Sequence, residues 1–329
     1  MVSIAAVVLA VATGGCGGGG DEAGPGTRSQ ASPEDRGLAE AANVSRADFP
    51  AADGRSLQEI ADSAQPGASV GLAVSVLVPG RNRVAFGLLD DANRVVYAKS
   101  AVYVASSPGA PAAGPYPAPA DSLITRPEFR SRFGAAAEDP FAAIYGATVP
   151  FRHAGEYAVL VLSKQGSRVT GSRTRVEVQP DSSVPAVGER APAVENDTLE
   201  SAGGDIEAIE TRVPPDDMHE VRFKDVLGKQ PVALLFATPA LCESRTCGPV
   251  TDILLQLKET YGQRMAFIHQ EVFVDNDPAK GYRKPLRDFG LQSEPWLFTI
   301  DRRGRVATRL EGAFGLETAK RAIEAALEP

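Results

Sequence analysis

The run Pro231-Val-Ala-Leu-Leu-Phe236, followed at once by Ala237-Thr-Pro-Ala-Leu-Cys242-Glu-Ser-Arg-Thr-Cys247-Gly-Pro-Val250, decides the reading of the C-terminal half. An unbroken apolar run of this length fits a strand buried on both faces of a sheet. Pro249 suits the first turn of a helix. Val250, Ile253, Leu254, Leu257 and Tyr261 then recur at helical spacing, and Gly262 stands where a helix would end. Further on, residues 265–274 and 295–300 read as strands. Asp301-Arg-Arg-Gly304 reads as a hairpin turn into 305–310, and 317–327 as a closing amphipathic helix. Strand and helix alternate from about Val221, which predicts an α/β domain over 216–329.

Upstream the pattern is different. Residues 69–78, 83–89, 94–104, 142–151, 155–162 and 173–179 are short, Val-rich segments bounded by turns, at the spacing of an all-β sandwich. They predict a β module over 68–180, with the Pro-rich 106–120 as a loop. Ala154-Gly-Glu-Tyr157 resembles the Gly-x-Tyr strand of immunoglobulin-like domains, whose tyrosine hydrogen-bonds back to the chain at a strand corner. His153, beside that turn, reads as structural. Residues 17–67, dominated by Gly, Ala, Ser, Pro and acids, read as a disordered tether. Residues 181–215 read as a linker in which Val187-Gly-Glu-Arg-Ala-Pro192 resembles the opening of redoxin domains.

The 329 residues are enough for two cores, and 43% hydrophobic with 23% charged residues is ordinary for a globular chain. A net charge of −8 gives no basic face for a phosphate backbone, so nucleic acid is not an expected partner. Residues 2–12 form an apolar run too short to cross a bilayer as a helix. The run ends in Thr13-Gly14-Gly15-Cys16, which resembles the bacterial lipobox. That resemblance implies cleavage before Cys16, lipidation of its thiol, and attachment to the outer, extracytoplasmic face of a bacterial cell membrane. Cys242 and Cys247 then remain as an even pair in a compartment where disulfides persist.

Taken in order, several features resemble the thioredoxin-like superfamily, specifically the extracytoplasmic redoxin and TlpA-like reductases. They are Leu-Gly-Lys before a buried strand, Phe236-Ala-Thr before a cysteine loop, a helix opening after Gly248-Pro249, and Glu294-Pro295-Trp296 before Leu-Phe-Thr-Ile-Asp-Arg-Arg-Gly-Arg-Val. The resemblance covers roughly 187–329. It implies an α/β thioredoxin-like fold and thiol–disulfide exchange with protein thiols or disulfides, supplied by an upstream redox partner and without an organic cofactor. It also implies a cis Pro295 lying against Cys242 and Cys247 and shaping a substrate groove with Gly248 and Pro249; Trp296, if exposed, would add an apolar wall to that groove, and if buried would fill the core. The spacing here is Cys-x4-Cys rather than Cys-x-x-Cys. A helix N-terminus lowers a cysteine's pKa, so Cys247, just before Gly248-Pro249, is the expected attacking group and Cys242 the resolver.

Alternatives remain open at this point. The pair could be a structural disulfide in a non-catalytic surface lipoprotein, although closing so small a loop stabilises by only about 2 kcal/mol. Cys242, Cys247 and His269 could form a copper set like that of Sco-type chaperones. A peroxidase reading fails because Pro239 is not followed by the required threonine and cysteine spacing.

Overall fold

The computed structural model describes residues 33–136 and 141–328. The expected leader and Cys16 lie outside the described residues, as does the first part of the expected tether.

The remainder of that tether is folded. Helix α1 (Pro33–Ala42) and helix α2 (Leu57–Asp62) precede a two-residue strand β1 (Gln65–Pro66). Ser56 starts α2 with a reciprocal cap: its hydroxyl accepts from Glu59 N at 3.2 Å, and Glu59 Oε2 accepts from Ser56 N at 2.7 Å. Phe49, Leu57 and Ile60 are buried against Ala101, Tyr103, Leu160 and Leu162. The expectation of disorder over 17–67 is therefore corrected for 33–67. The apolar anchors are isolated in a Gly/Ala/Pro background, so they leave no periodic trace.

The β module is a two-sheet sandwich. Its strands are β2 (Ser69–Leu72), β3 (Gly80–Leu89), β4 (Lys99–Ala105), β5 (Ala113–Pro117), β6 (Ala120–Ser122), β7 (Ala143–Phe151), β8 (Gly155–Gln165) and β9 (Arg168–Val178). One sheet runs β1-β9-β8-β4-β5 and the other β2-β3-β7-β6. Alternate residues of both, among them Phe86, Tyr145, Val102, Val104, Val159, Val161 and Val178, share one core. The expected loop 106–120 contains β5 and the start of β6. Pro115 and Pro117 are compatible with β5 because it lies at a sheet edge, where a missing N–H costs no ladder bond. Tyr157 Oη lies 3.2 Å from both the amide and the carbonyl of His153, the corner contact that the sequence pattern implied.

The C-terminal unit is built on a four-stranded sheet. After a short helix α3 (Phe223–Val226) come β10 (Val232–Phe236), α4 (Cys247–Tyr261), β11 (Ala266–Gln270), α5 (Lys284–Asp288), β12 (Trp296–Ile300), β13 (Val306–Glu311) and α6 (Leu316–Leu327). The sheet order is β11-β10-β12-β13, with β10 parallel to β11 and antiparallel to β12. β10 is buried on both faces, which explains its unbroken apolar run. Ala233 and Leu235 pack toward α4 and α6, while Val232, Leu234 and Phe236 pack toward Phe223, Leu286 and Phe289. The cysteine loop leaves the C-terminal end of β10, and the Glu294–Pro295 peptide before β12 is cis. This is the α/β alternation that the sequence predicted for the C-terminal half.

The unit begins earlier than 216. Val184, Ala191, Val194, Glu210 and Arg212, all within the expected linker 181–215, are buried. The segment is held by single backbone bonds, such as Gly188 N to Val306 O (2.8 Å) and Ala191 N to Gly304 O (3.0 Å). Its one regular element is a single 3-10 turn, Ile206–Ala208, so its sequence has no period to read.

The two units are joined by buried polar contacts. Glu311 accepts from the amides of Ser75 and Val76, each at 2.9 Å. Asp121 accepts from Thr318 N at 2.7 Å and so caps α6. Residues 130–135 of the sandwich lie over the start of α4, where a Cβ on Gly248 would stand 2.1 Å from the Phe133 carbonyl oxygen. Gly248→Ala is therefore expected to lower the unfolding free energy by about 1–3 kcal/mol in urea titration. An unchanged midpoint would show that this cover does not rest on the helix.

Candidate functional site

The cysteine loop folds as a tight turn on the end of β10. Leu241 N and Cys242 N both donate to Thr238 O, at 3.2 and 3.1 Å, and Arg245 N returns to Cys242 O at 3.1 Å. Arg245 has a φ of 57°, which lets six residues bring the two thiols into hydrogen-bonding contact. Thr246 stands at the N-cap position of α4, its hydroxyl turned to Ser244 Oγ at 2.8 Å, and Cys247 is the first residue of the helix. Thr251 Oγ1 donates to Cys247 O at 2.7 Å, fixing that turn.

The two cysteines have opposite environments. Cys242 retains 9% exposure and Cys247 none. The Cys247 thiol donates to Cys242, and this is the chief cause of a Cys242 pKa lowered to about 5. Burial opposes the shift, while Ser244 Oγ, 3.1 Å from the sulfur, and the amides of Cys247 and Thr246 reinforce it. Burial pushes the Cys247 thiol well above its ordinary value, and the neighbouring Cys242 pushes it further. These environments favour the thiolate on Cys242 over that on Cys247, whereas the helix N-terminus alone would favour Cys247. Cys247 does occupy the helix N-terminus, but its complete desolvation outweighs the favourable dipole.

Glu294 was not singled out by the sequence. It is half-buried beside the pair; burial raises its pKa first and the charge on Cys242 second, and Tyr282 Oη donates to it at 3.3 Å. Its position before Pro295 was the available signal.

The expected substrate groove is not open. Trp296 is 2% exposed, donates Nε1–H to Ser293 Oγ at 3.1 Å and stacks on Phe298 at 5.7 Å between centroids, so it fills the core. Gly248 and Pro249 are buried beneath residues 130–135, and Pro295 is buried as well.

His269 does not join the thiols. Its Nδ1 lies 2.9 Å from Asp216 Oδ2 and 3.3 Å from Glu210 Oε2, and its Nε2 lies 3.1 Å from Ala237 O. Among the described residues, the group able to hold a metal is Glu210, Asp216, His219 and His269, all buried, with ligand atoms within 4.8 Å of one another. The copper set Cys242, Cys247 and His269 is corrected accordingly. Burial would lower His269, but the carboxylates of Glu210 and Asp216 outweigh it and hold the ring well above the usual imidazole range. Only His269 of this group was visible as a candidate in the sequence. The other three lie on an irregular segment with no spacing signature.

The asymmetry is open to measurement. Alkylation of reduced native protein by iodoacetamide should modify Cys242 with a midpoint near pH 5, leaving Cys247 unmodified, and Ser244→Ala should move that midpoint upward. Folding favours the Cys242 thiolate, so the reduced protein should gain stability over Cys242→Ser as pH rises above about 5 and lose it as pH falls through that value. Equal reactivity of both thiols at the ordinary thiol pKa would remove the distinction.

No protein-family model matches the chain, and no curated protein does. Among solved structures, a Chlorobium tepidum protein described as a thiol:disulfide interchange protein DsbE is 18% identical. The match covers 44% of this chain and 99% of that one, with a TM-score of 0.31. A thiol:disulfide interchange protein of the thioredoxin family from Chlorobium tepidum TLS is 16% identical over 44% of this chain and 100% of its own, also at 0.31. An endo-β-1,4-mannanase from Thermotoga petrophila is 11% identical over 35% of this chain and 20% of its own, at 0.20.

Proposed function

We propose that the C-terminal unit exchanges thiols and disulfides with other proteins, Cys242 attacking and Cys247 resolving. The observation that carries this reading is the geometry of the pair: Cys242, 9% exposed and 3.1 Å from Ser244 Oγ, lies in hydrogen-bonding contact with a fully buried Cys247, which favours the thiolate on Cys242. A thiolate is the nucleophile in such exchange, and a stabilised thiolate makes the reduced form a weaker reductant.

In the reducing direction, Cys242 Sγ⁻ attacks one sulfur of a substrate disulfide, forming a mixed disulfide and expelling the other sulfur as a thiolate. Cys247 then loses its proton, for which Glu294, electrostatically linked to both cysteines, is the candidate acceptor. Its thiolate attacks Cys242 Sγ and releases the second substrate thiolate. The substrate gains two electrons and the pair becomes a disulfide, which an external dithiol must reduce before the next turnover. No organic cofactor enters these steps. Because residues 130–135 cover the start of α4, the substrate approaches from the Cys242 side of the loop rather than over Gly248 and Pro249.

The rest of the chain fits a surface role. Lipidation at Cys16 would hold it on the outer face of a bacterial membrane, with the sandwich, immunoglobulin-like in its corner tyrosine, between membrane and redox unit. Cys16→Ala should then move the chain from the membrane fraction to the soluble one; retention in the membrane would remove the anchor.

A second reading, a structural pair in a non-catalytic scaffold, is favoured by the complete burial of Cys247. The reduction potential separates the two. A value well above about −300 mV marks a labile pair, whereas one below it marks a staple. Under exchange, Cys247→Ser should accumulate a mixed disulfide through Cys242, and Cys242→Ser should abolish reduction of a model disulfide such as insulin.

A further inference from the structure

The buried group beneath the cysteine loop plays no part in the exchange steps, and its geometry is that of a ligand set. We propose that Glu210, Asp216, His219 and His269 form a structural site for a divalent first-row transition ion of the zinc type, separate from the cysteine pair.

Distance supports it first. Metal bonds to nitrogen and oxygen of about 2.0–2.2 Å place neighbouring ligand atoms of a tetrahedron about 3.3–3.6 Å apart. Here His269 Nδ1 lies 2.9 Å from Asp216 Oδ2 and 3.3 Å from Glu210 Oε2. His219 Nε2 lies 3.0 Å from Glu210 Oε2 and 3.5 Å from Asp216 Oδ1. Two imidazoles and two carboxylates thus converge on one volume at nearly ligating separations.

The outer contacts support it second. A ligating histidine characteristically donates its far ring N–H to a carbonyl or carboxylate, which fixes the tautomer and the ring plane. His269 turns Nδ1 inward and Nε2 to the Ala237 carbonyl at 3.1 Å. The carboxylates are oriented in the same way: Glu210 Oε1 accepts from Arg212 N at 2.7 Å and Asp216 Oδ1 from Met218 N at 2.8 Å.

Charge supports it third. Glu210 and Asp216 are joined in the interior by Glu271, two residues beyond His269 and fully buried. Arg212, the guanidinium closest in sequence, is directed elsewhere, to Asp252 Oδ1, Pro214 O and Phe129 O. The ion-pair partners of Glu210 and Asp216 are the two imidazoles, and a buried carboxylate costs several kcal/mol unless fully compensated. A divalent ion compensates two carboxylates at once.

Four buried protein ligands make the site closed, as structural zinc sites are. It would pin the irregular 210–219 segment to β11. That segment places Met218 against the core around Cys242 and Cys247, so the ion would fix the floor of the cysteine loop without touching sulfur.

The test uses the purified full-length chain loaded with Zn(II) or, as a spectroscopic probe, Co(II), followed by gel filtration and elemental analysis. One ion per chain is expected, with tetrahedral Co(II) bands lacking sulfur charge transfer, and the same result in the Cys242→Ser/Cys247→Ser variant. Asp216→Asn and His219→Gln should each weaken binding by at least about 100-fold, more than loss of an outer partner costs. Failure to retain an ion, retention that vanishes with the cysteines, or unchanged affinity in a folded Asp216→Asn overturns the proposal. If both ligand variants fail to fold by circular dichroism, the wild-type stoichiometry and the cysteine variant still decide it.

Discussion

One buried guanidinium sets the relation between the parts of this chain. Arg212 and Asp252 pair at 2.9 Å with side chains only 2% and 1% exposed. The same guanidinium reaches Phe129 O at 2.7 Å and Pro214 O at 2.5 Å, and the second Asp252 oxygen accepts from Ser131 N at 2.8 Å. A charge is tolerated in the interior only when its hydrogen-bonding capacity is met. Helix α4, the 210–219 segment and the sandwich loop are therefore held together as a set. From that junction Phe133 falls over Gly248, and Met218 falls beneath the thiols.

The cysteine pair shows how two effects of opposite sign are ranked by burial. The partial charge at a helix N-terminus is worth roughly 0.3–1 kcal/mol when exposed and up to about 2 when partly buried. Full desolvation of a thiolate can shift its pKa by several units, each about 1.4 kcal/mol. Cys247 has the helix end but no solvent, whereas Cys242 has hydrogen-bond donors and some exposure. The second combination favours the thiolate.

What could be read from the sequence follows the same physics. β10, α4 and β12 are buried on their working faces by contiguous or periodic apolar residues, so they were visible as patterns. β5 was hidden because prolines are permitted at a sheet edge, and residues 33–67 because their buried side chains are few and scattered. The 184–215 segment crosses the sheet by isolated backbone bonds, which have no sequence period. For the site, the two cysteines were legible as a pair, but their polarity was not, since it depends on a loop more than 100 residues upstream. The convergence of Glu210, Asp216 and His219 on His269 is likewise a product of tertiary packing alone.

The order of the parts along the chain adds a temporal consequence. Chains leave the ribosome, and cross a membrane when exported, N-terminus first, and domains tend to fold as they emerge. Residues 130–135, which roof the start of α4, precede Cys247 by more than 100 positions. The residues of the roof thus emerge before the thiol, but Arg212 and Asp252, which hold them, flank Cys247 in sequence, so the roof closes only once the thiol is already out. The sandwich and the C-terminal unit are in this sense completed together, around one cysteine.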